Sequence, residues 1–209
     1  MAYHTNVWYW AETVKLTIPA WLILIFKLQL SRSPMHIQTH VMSGWCLGNY
    51  AKLTPRERFC CMLAASWADL DGLGMQAGPE VYWEYHHKLC HNLSFGLLLS
   101  AVLTLFSGRR WRAFIVYLGL FHLHLVMDYF GSGPDWGFYY LWPFSDWYVE
   151  NAHAWEFQSW QNFLAAFVFL VWMLWIAVRD GRTPLEVIMP SLDRQLVQWL
   201  RQRFGWKTG

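Results

Sequence analysis

The chain has 209 residues, 56% hydrophobic, 19% aromatic and only 14% charged, with a formal net charge of +2. Soluble domains carry about a quarter charged residues, so this depletion points to an integral membrane protein, and the net charge is too small to argue for nucleic acid, which is not expected as a partner. Four cysteines (Cys46, Cys60, Cys61, Cys90) form no Cys-x-x-Cys pair, so neither a zinc ribbon nor a disulfide framework is indicated.

At the N-terminus no cleavable signal peptide is expected, because no small-residue cleavage site follows the first apolar stretch. That stretch, residues 14–30, is interrupted by Lys15 and Lys27 and reads either as a span or as an interfacial segment. Two short helices are expected next, over 40–51 ("HVMSGWCLGNYA") and over 57–68 ("ERFCCMLAASWA") after the start signal Thr54-Pro55. Each is too short to span comfortably, so both should pack inside a bundle. The apolar stretches 92–108 and 113–127 flank "RRWR" (109–112) and read as an antiparallel hairpin with a basic turn. Residues 157–178 are free of charge over 22 residues, enough to cross a core of about 30 Å. The aromatic run 136–148 before them suits an interfacial belt, a roof over a site, or an entrance for lipid tails. The tail 184–204, broken by Pro190, sets apolar residues at helical spacing against Arg and Gln, as an amphipathic surface helix does. The expected fold is all-α: a polytopic membrane helical bundle of about four to six helices.

Basic residues orient that bundle. Lys52, Arg56, Arg58 and the Arg109–Arg112 cluster mark turns on the cytoplasmic side, no Lys or Arg occurs from 113 to 178, and Arg179, Arg182, Arg194, Arg201 and Arg203 follow. Loop 129–156 should therefore face outward and the C-terminus inward. His40, Asp69, Asp71, His87, His91, His124, Asp128, His153 and Glu156 then all fall at outer segment ends. His87 with His91, and His124 with Asp128, are four residues apart and share a helix face wherever a helix covers them. Ionisable groups at membrane depth are costly and usually mark function. Imidazole with carboxylate suits zinc, and also iron or manganese. Seven candidates exceed what one tetrahedral zinc uses, so one or two divalent ions are expected. Glu156 is a candidate general base, though a glutamate at a helix start also suits the helix dipole. His86, His122 and Cys90 read as extras.

The segments "THVMSGW" (39–45), "ADLDG" (68–72), "HHKLCHNLSFG" (86–96) and "HLVMDYFGSG…WPF" (124–144) resemble a LexA-binding, inner-membrane-associated family of metal-dependent hydrolases. Lys88 stands where that family usually has arginine, and Asn92 where it usually has serine. The resemblance covers roughly residues 35–178 and implies metal ligands at His40, Asp69, Asp71, His87, His91, His124 and Asp128. It divides the chain into an N-terminal extension with a candidate membrane helix (1–34), a membrane-embedded hydrolase domain (35–178) and a cytoplasmic amphipathic tail (179–209). The expected function is hydrolysis of a lipid or lipid-linked (phospho)ester in the inner membrane by a metal-activated water. Asp69, Asp71 and Glu156 are the candidate catalytic carboxylates. Membrane lipids and a small-molecule or lipid substrate are the expected partners. The alternatives are a transporter or metal-handling protein with an intramembrane His/Asp site, and a heme-binding electron carrier with axial His91 and His124.

Overall fold

The computed structural model describes residues 37–205, and the expectations for residues 1–34 lie outside the described residues. Every regular element among the described residues is a helix, and the only extended pairing there is an isolated bridge between Phe138 and Val149. The order is α1 (Ile37–Tyr50), α2 (Pro55–Ser66), a 3-10 helix (Trp67–Gln76), α3 (Pro79–Tyr85), α4 (Leu93–Thr104), α5 (Arg110–Gly131), α6 (Trp160–Asp180) and α7 (Pro190–Arg203). This is more elements than the four to six expected, because the region after α2 breaks into the 3-10 helix and α3.

Helices α1 and α2 form a tight hairpin. Leu53 N–H reaches back to the Gly48 carbonyl at 3.1 Å, closing α1 over Lys52, whose φ of 54° is left-handed. Thr54 then caps α2: its hydroxyl accepts from Glu57 N–H, while the Glu57 carboxylate accepts from Thr54 N–H at 2.9 Å, and Pro55 opens the helix. Gly44 and Gly48 let the helices touch. A Cβ at Gly44 would sit 2.4 Å from the Cys61 carbonyl, and one at Gly48 3.1 Å from Arg58 Cγ, the small-xxx-small logic of membrane helix pairs.

Helix α4 has only 12 residues, about 18 Å at helical rise, so it does not reach across a bilayer on its own. The basic residues expected in the hairpin turn instead open α5: Arg110 and Arg112 are helical, and the turn is 105–109. Only α5 and α6 among the described helices are long and apolar enough to cross a membrane, with mean hydropathy 1.5 and 2.0. Helix α6 leaves Phe163, Phe167, Val168, Val171 and Trp175 exposed, as a helix facing lipid does. The core lies between α2, α4 and α5, around Cys61, Leu103, Tyr117 and Phe121. Helix α6 packs on α1 through Ile176 against Trp45 and Cys46.

The tail is not one interrupted helix. Residues 181–189 form a connector fixed by Asp193, which accepts from Thr183 N–H and hydroxyl at 2.6 and 2.7 Å, and by Glu186, which accepts from Arg58 and Trp45. Helix α7 begins at Pro190 and packs Leu200 on Ala177 and Val178 of α6.

Candidate metal centre

Asp71 organises the site. It lies in the 3-10 helix beyond the end of α2, and residues 86–92 wrap around its carboxylate. Oδ1 accepts from His86 Nδ1 at 2.7 Å; Oδ2 accepts from the main-chain N–H of His87 (3.0 Å) and Cys90 (3.3 Å) and from His91 Nδ1 (2.9 Å). The wrap needs a left-handed residue, and His87 supplies it with φ 62°, a strained conformation of the kind that concentrates at functional sites. Burial alone would raise the Asp71 carboxyl, but His91 and His86 beside it outweigh that and hold it well below the usual carboxylate range.

The expectation that His87 and His91 share a helix face is corrected here. Helix α4 starts only at Leu93, fixed by Asn92, whose side chain accepts from Phe95 N–H at 2.8 Å. The loop nevertheless stacks the two imidazoles with ring centroids 4.2 Å apart. His124 and Asp128 do lie one turn apart, in the last two turns of α5.

The decisive geometry is the facing of two imidazoles. His91 Nδ1 donates to Asp71, and His124 Nδ1 donates to the Ala65 carbonyl at 2.9 Å, an acceptor left open where α2 ends. In neutral rings each Nε2 therefore carries a lone pair, and the two Nε2 atoms lie only 3.2 Å apart. Two lone pairs at that distance repel unless a proton or a cation sits between them. The surroundings favour positive charge: burial opposes it at His91, yet Asp71 and Asp128 push that imidazole up to about 10.

Two further carboxylates face the same point. Asp128 Oδ2 lies 3.0 Å from His124 Nε2 and 3.4 Å from His91 Nε2, and Asp69 Oδ1 lies 3.7 and 3.8 Å from them. All four oxygens of Asp69 and Asp128 are buried without an aligned hydrogen bond among the described residues. Unsatisfied buried carboxylates of this kind need an explanation, and a cation among them supplies one. One donor atom from each of Asp69, His91, His124 and Asp128 lies within 4.8 Å of the other three, so the cluster can hold a metal ion. Two nitrogens and two oxygens suit zinc, manganese or iron.

The other expected residues divide. His40 flanks the cluster, its Nε2 3.2 Å from Asp128 Oδ1 and its ring 4.1 Å from that of His124. Asp71 stands behind His91 with both oxygens engaged, outside the four-donor group. His87 is also outside it: Nδ1 faces the Gly137 carbonyl at 3.3 Å, and Nε2 is buried without a partner among the described residues. Burial and the neighbouring His91 and His86 lower its pKa well below the ordinary value. Glu156 is exposed in the turn before α6, and the structure does not bring it to the cluster. His122 faces elsewhere, bonded to Leu118 and Tyr140.

Sequence reasoning missed His86 as a partner of Asp71, because successive residues were expected to diverge. They do diverge, but around one carboxylate. The aromatic run, read most simply as an interfacial belt with a roof over a site as the alternative, comes to the residues behind the cluster: Trp136 stands edge-on to His86 and His87 at 5.5 and 5.2 Å, and Tyr82 stacks on His86 at 4.4 Å. Main-chain bonds from Tyr139 N–H to the His87 carbonyl and from Leu93 N–H to the Tyr140 carbonyl seat that loop on the site.

A family model described as YdjM inner membrane protein matches residues 35–192. No curated protein and no solved structure matches the chain.

Proposed function

The chain belongs to the YdjM inner membrane protein family, and from that membership and the facing histidines we propose a multi-pass, membrane-embedded, metal-dependent hydrolase acting on a lipid or lipid-linked (phospho)ester. The observation that carries the reading is the pair of Nε2 atoms at 3.2 Å, beside two carboxylates whose oxygens are buried without an aligned hydrogen bond among the described residues.

His91, His124, Asp69 and Asp128 would hold the ion, and His40 stands next to Asp128. When bound, a divalent ion supplies Lewis-acid polarisation of an ester or phosphoryl oxygen and makes water acidic enough to attack near neutral pH. The protein's own groups supply the rest. Asp71 holds the Nδ1 proton of His91 and so turns its Nε2 inward, and the Ala65 carbonyl does the same for His124. Of the two carboxylates Asp69 stands farther from the imidazoles, and both its oxygens lack an aligned hydrogen bond among the described residues, so it is the carboxylate we assign to accept the proton of the attacking water. Trp136 and Tyr82 pack on His86 and His87, beside the loop that carries His91.

Depth supports the lipid substrate class. Asp128 lies three residues before the end of α5, about 5 Å along the helix, which puts the cluster near headgroup level if α5 spans. The arginines at the opposite end favour a cytoplasmic side there and an extracytoplasmic site.

The test is metal content and hydrolysis on detergent-purified protein: wild type, His91→Ala, Asp128→Ala and, as a control, His122→Ala. Stoichiometric zinc, manganese or iron in wild type and His122→Ala, lost in the other two together with hydrolysis of a phospholipid substrate, is the expected result. Wild type that retains no metal after supplementation sinks the reading. Metal retained with no hydrolysis of phosphoester, carboxylic ester or amide lipids would instead favour metal handling.

A further inference from the structure

At the opposite end from the histidines lies a cavity of about 600 Å³, between the C-terminal ends of α1 and α6 and the turn joining α1 to α2. Lys52, Arg179, Arg182 and Asp180 line it together with Trp172 and Trp175. Arg179 commits Nε and Nη2 to Asp180 at 2.6 and 2.8 Å, and Arg182 shares that carboxylate at 3.3 Å while donating Nε to Asn49 Oδ1 at 2.9 Å. The Lys52 ammonium has no partner among the described residues. Arg58 also reaches the cavity, but Glu186 neutralises it. Three cations therefore face one carboxylate, an excess of two positive charges. The C-termini of α1 and α6 each bring about −0.5, and the N-terminus of α2 about +0.5, so the cavity stays cationic.

Its apolar wall runs on into the exposed face of α6. Val168, Val171 and Trp175 lie on one stripe at helical spacing and are all exposed. The Arg179 guanidinium sits 3.8 Å over the Trp175 ring, so the cationic cavity and the apolar stripe meet without a gap. A basic recess at a helix end, opening onto an apolar stripe left exposed among the described residues, in an inner membrane protein, matches the two halves of a phospholipid.

We propose that this cavity binds the phosphate headgroup of an anionic membrane phospholipid, with an acyl chain along Val168, Val171 and Trp175. The phosphate faces Lys52 and the free N–H groups of Arg182. The stripe selects a lipid over soluble phosphate, which has nothing to place there. This site is separate from the metal cluster and stands whether or not the chain is a hydrolase.

The test is native mass spectrometry of the full chain, purified with equal amounts of phosphatidylglycerol and phosphatidylcholine carrying the same acyl chains. Wild type should retain phosphatidylglycerol in excess. Lys52→Asn should lower that preference about fivefold, the effect of one cation at a membrane surface; asparagine accepts the left-handed backbone and the exposed Lys52 side chain has no hydrogen bond or ion pair among the described residues, so the fold is kept. Arg182→Gln should act in the same direction. Metal content, read in parallel, should not change in Lys52→Asn. Equal retention of the two lipids by wild type, or a preference unchanged in Lys52→Asn, overturns the proposal. Displacement of phosphatidylglycerol by millimolar inorganic phosphate overturns the lipid as occupant.

Discussion

Asp71 shows how one side chain can set a site without joining it. Its two oxygens take two imidazole protons and two main-chain N–H groups, and they fix both the loop path and the tautomer of His91. Asp71→Asn keeps the size but puts an amide where only acceptors fit, leaving at least one donor of the wrap unmet. Removing such a support typically weakens metal binding by 10- to 100-fold. Asp71→Asn should therefore bind zinc roughly 10- to 100-fold more weakly in a chelator competition, whereas Asp128→Ala should lose stoichiometric binding. Equal affinity in Asp71→Asn and wild type would remove Asp71 from this role. The spacing Asp69-x-Asp71 announced two carboxylates but not their division of labour. Two residues apart in a 3-10 turn, they point in different directions, one to the histidine pair and one to the loop behind it. Only the chain's return at 86–91 decides which is which, and that contact is not written locally.

Among the elements, the regular helices were the readable part. His124 and Asp128 sit inside α5, where the period of 3.6 places them one above the other. The loop pair His87 and His91 belonged to the right place for a different reason. Asn92 is a strong N-cap residue, and reading it as one would have started α4 at Leu93 and left both histidines in a turn. The cap of α2 was readable from Thr54-Pro55-Arg56-Glu57, and its consequence is measurable. Burial would raise Glu57, but hydrogen bonds from Thr54 and Gly108 and the charge of Arg112 outweigh it and lower the carboxyl below its ordinary value. A lowered carboxyl stabilises the fold above its unfolded pKa, about 4.3, and that stabilisation is lost as pH falls through the folded value. Glu57→Gln should thus cost about 1 kcal/mol at neutral pH, and its gap from wild type should shrink below about pH 4. Thermal unfolding in detergent at both pH values reads this. A gap that persists unchanged in acid would mean the carboxylate charge is irrelevant to the cap.

For the molecule as a whole, the separation of charge predicts orientation. Lys52, Arg58, Arg110, Arg112 and Arg179 gather at one end of the helices, and the cluster with loop 132–159 lies at the other. If the basic end is cytoplasmic, a membrane-impermeant maleimide added to intact spheroplasts should label Ser145→Cys, in the exposed part of that loop. It should label Gln202→Cys, exposed on α7, only after permeabilisation. Cys46, Cys60 and Cys61 are buried and Cys90 partly so, which makes wild type the background. The reverse labelling pattern would place the histidine cluster on the cytoplasmic side. The bundle class was legible from composition; the number of crossings was not, because α1, α2 and α4 are too short to reveal from sequence how deep they lie.

None of the four donor atoms comes from α6. That helix touches the rest mainly through α1, through α7, and through Asn162, which donates to the Gly131 carbonyl at the end of α5. The donors come from the segment after α2, the loop before α4, and α5. The chain therefore separates the helix most open to lipid from the parts that hold the histidines. Membranes differ in thickness by a few ångströms, and a helix meets such mismatch by tilting, at a fraction of a kcal/mol per Å. In this fold α6 can take up its share of that tilt between its two ends without moving a donor, which leaves α5, the carrier of His124 and Asp128, as the one membrane-length helix through which bilayer thickness reaches the cluster.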